Sequence, residues 1–473
     1  MFWVLAFVAV NPVSGKEQPS DYAVVVSKKT FADPDWKKVA DALVKKHNAS
    51  MVTFDADVSD TLPALRRQFP RYVCFVAQPA EAGREFVAKI HRLTRRFDDD
   101  PYTDCIWGIL TGYDAANALN IAQCDTPLTI HKVGAGTVVA LDMCEQGVWY
   151  CEVKKNRTVR KEPGKEPLES KGPDDTTQAL ADLLTQYHAD LFVTSGHATE
   201  HDWQIGYGYR NGQFRCENGR LYGLDTAGKR HPIQSDNPKV YMPVGNCLMG
   251  HIDGRDSMAL AYMNSAGVKQ MFGYTVTTWY GYAGWGCLDY FVEQPGRYTF
   301  AEAVFANDHA LINRLATYFP DWVSADLDAN GRPAGRIVVG DKAKAAGLTE
   351  QDGLGLLYDR DTIAFYGDPA WEARMAKADA AWDQTLTEKD GVWTLEIKPH
   401  RGAKTFEPIN KNGSQRGGRP IIQYLPCRIQ SAQLVEGAAL NPVITDDFVL
   451  VPNPHDVMPD AKYRVVFRAA RLN

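Results

Sequence analysis

The sequence predicts an α/β protein: a mostly parallel sheet covered by helices as an α/β/α sandwich in two subdomains, with a small β-sandwich at the C-terminus. Three observations predict it. Short β-branched runs alternate with amphipathic helical segments over residues 21–150, and the alternation resumes after residue 176. From Gly391 onward the chain becomes short strands separated by Pro-, Gly- and Asn-rich turns. Taken in order, Tyr22–Val26 reads as a buried strand, and Asp35–Lys46 sets Trp36, Val39, Ala40 and Leu43 on one helical face. Met51–Phe54, Tyr72–Val76 and Ile106–Leu110 read as further strands, with a helix over Arg84–Phe97. Residues 154–175 (KKNRTVRKEPGKEPLESKGPDD) are charged and rich in Pro and Gly, so they read as a surface linker. That linker divides an N-terminal subdomain (16–153) from a catalytic one (176–388). In the second, Asp174/Asp175 cap a helix to about His188, followed by strand Leu191–Thr194. Strand Val240–Val244, helix Ser257–Ala266, strand Lys269–Val276 and the amphipathic helix Thr299–Phe319 come next. Trp393–Ile397, Ile421–Leu425, Phe448–Val451 and Tyr463–Phe467 then supply strands of an Ig-like sandwich over 389–473.

The composition narrows the function. With 52 basic and 58 acidic residues among 473, the net charge is −6 and there is no large basic block, which argues against nucleic acid as the main partner. No apolar run reaches the roughly 18–20 residues of a membrane-spanning helix, so no integral membrane segment is expected. Phe2–Val10 followed by Val13-Ser14-Gly15 has the h-region and small cleavage residues of a secretory signal over 1–15, although the basic n-region is missing. A secreted or periplasmic location follows as an expectation. The nine cysteines contain no CxxC pair, which disfavours a zinc ribbon or thioredoxin motif. An odd count in an exported protein leaves at least one thiol unpaired.

Two predicted strands end in reactive residues. Leu191-Phe-Val-Thr-Ser-Gly-His197 puts a histidine just past a carboxyl end, and Val240-Tyr-Met-Pro-Val-Gly-Asn-Cys247 does the same with a cysteine. Open α/β sheets form their sites at the carboxyl ends of strands, so the two side chains are expected in one crevice. An imidazole beside a thiol makes a nucleophile, and backbone N–H groups of Cys247 and Ala198 are the natural oxyanion donors. Their separation of 50 residues is close to the His-to-Cys spacing of caspases.

These elements resemble the gingipain-type cysteine peptidases of the caspase-like fold superfamily. Thr194-Ser-Gly-His197 resembles that family's histidine element and Gly245-Asn-Cys247 its nucleophile element. Ser257–Gly267 with Met271–Thr275 is similar to the helix and strand that follow, and Phe365-Tyr-Gly-Asp-Pro369 to the element closing the catalytic domain. The resemblance implies a caspase-like fold, a His197–Cys247 dyad cleaving a peptide or protein substrate, and substrate binding by Trp279 and Tyr280. It implies no dissociable cofactor. The sequence departs from the family at Ala198, where glycine is usual, and at Leu248-Met249-Gly250-His251 after the nucleophile. No residue matches the pocket carboxylate; Asp104 and Asp98-Asp99-Asp100 are the candidates.

Other readings compete. His197-Ala-Thr-Glu200-His201 fits the H-x-x-E-H pattern of zinc peptidases, a mechanism that needs the motif inside a helix. Asp326-Leu-Asp-Ala-Asn-Gly331 matches the first half of a calcium loop, but Ile337 stands where the bidentate Glu belongs. Aromatic residues between 279 and 290 suit a sugar-stacking platform in a non-catalytic secreted binding protein.

Overall fold

The computed structural model describes residues 20–327, 333–407, 409, 419–454, 457 and 461–472. The signal segment expected over 1–15 lies outside the described residues, as does most of the Asp326–Gly331 loop. Four strands open the described chain: β1 (Tyr22–Ser27), β2 (Ser50–Phe54), β3 (Tyr72–Val76) and β4 (Ile106–Leu110). Every residue of β1 and β4 is buried, which is why these runs are apolar up to Ser27 and do not alternate. Asp33 caps helix Pro34–His47 through the Asp35 and Trp36 N–H groups, and proline at the first position costs that helix nothing. A short β5 (Leu128–Ile130) leads to β6 (Lys132–Ala135), β7 (Gln146–Tyr150), β8 (Arg157–Lys161) and β9 (Leu168–Lys171). Then come β10 (Leu191–Gly196) and four short strands, β11 (Asp202–Gln204), β12 (Gln213–Glu217), β13 (Arg220–Leu224) and β14 (Arg230–Ile233), which form a separate antiparallel sheet. β15 (Lys239–Asn246), β16 (Val268–Tyr274) and β17 (Ile363–Tyr366) complete the main sheet, and β18 (Ala373–Met375) pairs with β5.

The main sheet has twelve strands in the order β2-β1-β3-β4-β17-β16-β15-β10-β6-β7-β8-β9. All neighbours are parallel except β16/β17, β7/β8 and β8/β9. The antiparallel β16/β17 pair therefore joins two parallel blocks of opposite sense, β2-β1-β3-β4-β17 and β16-β15-β10-β6-β7. Mixed α/β structure with a large, mostly parallel sheet is thus as the sequence predicts.

Three boundaries differ. Residues 154–175 are not a plain surface linker, since β8 and β9 form a hairpin on the edge of the main sheet. Backbone pairing and the burial of Thr158 and Val159 hold this charged segment, and Arg157 lies over the Trp149 ring. Nor does it separate two subdomains: β6 and β7 precede it in sequence yet pair into the block of β10. Sequence adjacency placed them with the first block, but strand order is a non-local outcome. The C-terminal unit begins earlier than 389, because β19 (Trp382–Lys389) is already its edge strand.

That unit also contains β20 (Val392–Pro399), β21 (Ile421–Tyr424), β22 (Ile429–Glu436), β23 (Val443–Ile444), β24 (Phe448–Val451) and β25 (Tyr463–Arg471). Its two antiparallel sheets, β19-β20-β25-β22 and β21-β24-β23, enclose a core of Trp393, Leu395, Ile397, Val449, Val451 and Phe467. The alternate residues Ile422, Phe448 and Leu450 instead join the core of the α/β part. His309 stacks on Phe448 at 4.3 Å, so the smaller sheet is buried on both faces. Among the described residues no helix is long and apolar enough to cross a membrane.

Candidate active site

β10 and β15 are adjacent and parallel, and their last pairs are Ser195↔Gly245 and Gly196↔Asn246. His197 and Cys247 are each the next residue, so they follow the ends of neighbouring strands. The structure thus brings the two predicted reactive residues to one sheet edge. His197 is exposed and Cys247 half-buried. Two glycines make the approach workable. Gly196 has φ +116°, a conformation other residues avoid, and it turns the chain back over Trp203. A Cβ on Gly245 would lie 2.6 Å from Ser195 Oγ and against Trp285.

The register between β10 and β15 slips between Thr194 and Ser195, leaving Val244 as an extra residue, a β-bulge three residues before Cys247. Pro243 sits at this bulge; a proline inside a central strand is the sequence signal that could have revealed it. Asn246 is fully buried and staples the two strand ends. Its Oδ1 accepts from Thr194 Oγ1 at 2.6 Å and its Nδ2 donates to Gly196 O at 3.1 Å. Sequence reasoning quoted Asn246 inside the motif and gave it no role. Directly after the cysteine, Leu248 adopts φ +56°, a left-handed conformation that is strained for leucine. Leu248 N–H donates to Val276 O and Gly250 N–H to Tyr274 O, which overrule the local preference.

On the histidine side the chain forms a tight hairpin. Thr199 N–H donates to Asp202 O at 2.9 Å and Gln204 N–H to His197 O at 2.8 Å. Ala198, paired with Trp203 between those two bonds, is the non-hydrogen-bonded residue of the ladder, so its N–H is left free by the hairpin. That is the property the oxyanion expectation needs. Tyr207 packs its ring on the His197 imidazole, centroids 4.7 Å apart, although it is 58% exposed. The backbone of Cys151 and Glu152 holds this loop: Gly208 N–H donates to Glu152 O, and Tyr209 O–H to Cys151 O. The buried Glu152 carboxylate, at the end of β7 on the same edge, takes Thr137 Oγ1 at 2.6 Å. Neither Tyr207 nor Glu152 was singled out from the sequence.

Opposite the histidine, Thr278 N–H donates to Cys247 Sγ at 3.2 Å. The loop is pinned on both sides of this donor. Tyr358 O–H donates to Thr277 O, and Gln351 Nε2 donates to Tyr280 Oη. Trp279, 71% exposed, and the half-buried Tyr280 are the next two residues of this loop. The other aromatics of this stretch do not form a platform. Tyr282, Trp285 and Tyr290 are buried in helix Tyr282–Phe291, which removes the observation behind the sugar-binding reading.

The zinc reading also loses its geometry. His197–His201 is a bend and an isolated bridge, with no helical turn to align the two imidazoles. His201 turns to Asp253, 3.0 Å away, and with Glu200 these residues offer ligand atoms within 4.8 Å of one another. Ile337, at the twelfth calcium-loop position, is buried and apolar and offers no ligand. Asp98, Asp100 and Asp104 cluster instead at the contact with the C-terminal unit, where Arg428 bonds Asp104 O and pairs with Asp446. Burial and the neighbouring Asp98 push the Asp100 carboxyl up to about 7 and that of Asp104 to about 9. This group does not supply the pocket carboxylate sought from the sequence.

No protein-family model, curated protein or solved structure matches this chain.

Proposed function

We propose that this protein is a cysteine peptidase with a caspase-like catalytic domain of the gingipain type. The carrying observation is the parallel pairing that ends at Gly196↔Asn246 and delivers His197 and Cys247 from adjacent strands. In this reading the Cys247 thiolate adds to the scissile carbonyl, whose oxyanion meets the N–H groups of Ala198 and Cys247. The C–N bond then breaks as His197 passes its proton to the leaving amine, and a thioester remains. Water, deprotonated by His197, hydrolyses that thioester and restores the thiol. Trp279 and Tyr280 bind the side chain next to the cleaved bond, and Tyr207 holds the imidazole from its outer face. No dissociable cofactor enters. The apolar Phe2–Val10 stretch supports export of the enzyme.

The test is chemical. Iodoacetamide at neutral pH, followed by mass spectrometry, should label Cys247 ahead of the other cysteines, several of which are buried. A positional-scanning peptide library should be hydrolysed by the native protein and left intact by Cys247→Ala. Equal labelling of all accessible thiols with no turnover would remove this function.

A further inference from the structure

A second polar site lies in the interior, at the seam between β4 and β17. There β4 and β17, neighbouring strands of the first block, share a single pair, Tyr366↔Ile109, so few ladder bonds join them. Beside that seam is a cavity lined by His91, Trp107, Asn307, Asp308, Asp359 and Arg360 together with apolar side chains. Four of its lining residues carry buried polar atoms without a protein partner: His91 Nδ1, Trp107 Nε1, Asn307 Oδ1 and Asp359 Oδ1. His91, Trp107, Asn307 and Asp359 are each at least 96% buried, so leaving these atoms unpaired would be costly.

The remaining bonds assign each atom a role. His91 Nε2 faces Ile363 O at 2.8 Å, and a carbonyl only accepts, so the proton is on Nε2. Burial disfavours the charged ring, which leaves Nδ1 a bare acceptor. Asn307 Nδ2 donates to Tyr282 O and Ala283 O, so Oδ1 is an acceptor. Asp359 Oδ2 accepts from Ala283 N–H at 3.1 Å and Tyr274 O–H at 3.3 Å, so the acceptor left over is Oδ1. Trp107 Nε1–H can only donate. The other two polar liners are already engaged: Asp308 with Thr103, and Arg360 with Val323 O, Ala325 O and Asp361.

We propose that this cavity is a binding site for one buried water that bridges the β4 side of the first block to helix Tyr282–Phe291. The occupant must accept from an indole and donate to acceptors, which a metal ion cannot do. The space open to the centre of a water molecule is about 20 Å³, enough for one water and too small for an organic ligand. The water takes the Trp107 proton and donates to two of the three acceptors. A proton on Asp359, whose carboxyl burial raises to about 7, supplies the third. His91 and Trp107 come from the first block, whereas Asn307 and Asp359 hold the first turn of helix Tyr282–Phe291. The water thereby connects the first block to the helix that follows the Thr278–Tyr280 loop, a role independent of whether the protein is a peptidase.

A crystal structure of the full chain, at a resolution that orders internal waters, is the test. One density peak within hydrogen-bond distance of Trp107 Nε1 and at least two of the acceptors is expected. A dry cavity, or side chains bonded directly to one another, overturns the site. Trp107→Phe keeps the ring contacts with Phe75 and Phe305 and removes the donor. In that variant the peak should be lost or fall in occupancy; a peak unchanged in position and occupancy overturns the assigned hydrogen-bond roles. If the variant fails to fold, the native structure alone decides.

Discussion

The strand ends of the two parallel blocks are built from the same α/β pattern and finish in opposite ways. In the first block, β1 ends at Ser27, whose hydroxyl accepts from Thr30 N–H to start a helix and donates to Glu81 at 2.7 Å. Glu81 also takes Thr30 Oγ1 and Gln78 N–H, so the carboxyl ends of β1 and β3 are tied by a single carboxylate. Just past β17, Asp368 receives Tyr22 Oη, Lys46 Nζ and His47 Nε2 in a buried cluster. In the second block, β10 and β15 end at Gly196 with φ +116° and ahead of Leu248 with φ +56°, and they present an exposed histidine and a half-buried thiol. Satisfied polar groups close one set of ends. Strain and exposure keep the other open.

The contrast can be broken from either side. Cys247→Ala should lower peptide hydrolysis by at least about a thousandfold while changing stability by less than about 0.5 kcal/mol. Glu81→Ala should do the reverse: a loss of about 2 kcal/mol in urea unfolding, with the alkylation rate of Cys247 unchanged. Asp368→Asn should cost more than this, about 3 kcal/mol, because it leaves Lys46 and His47 facing a neutral amide in a buried site. Asn246→Ala tests whether the open ends still need a staple. It leaves Gly196 O without its donor and should cost about 2 kcal/mol, with a fall in kcat larger than any change in KM.

The smallest effect is a pH dependence with two limbs. Burial alone would raise the Asp368 carboxyl, but hydrogen bonds and charge from His47 and Lys46 prevail and hold it below the ordinary range. Its stabilisation is therefore present above about pH 4 and lost as the pH falls through the lower folded value. The Asp100 and Asp104 carboxyls are raised, to about 7 and about 9, so the folded state holds extra protons from about pH 4 upward. Stability should decline as pH rises through that range. Thermal unfolding scanned from acid to alkaline pH should show both limbs, and Asp104→Asn should flatten the alkaline one alone.

Much of this contrast was legible in the sequence. Strands such as Tyr72–Val76, Ile106–Leu110 and Phe448–Val451 match their observed bounds, because a continuous apolar run between turn signals is a local property. His197 and Cys247 were legible for the same reason: each follows a strand and a small residue. The 154–175 segment was misread because charge suggested solvent, whereas an edge hairpin needs only backbone pairing and two buried side chains. Helix Tyr282–Phe291 escaped notice because it is buried on every side and shows no polar face.

The sequence by itself determined many of the strands and helices, and that a histidine and a cysteine follow two of the strands. Both follow from side-chain periodicity and from glycines placed along the chain. Only the tertiary structure decided that the blocks run in opposite senses, that β6 and β7 join the second, and that Asn246, Tyr207 and Thr278 surround the pair. Those outcomes depend on contacts between residues far apart in sequence, where burial requires each polar group to find a partner that no local pattern can name.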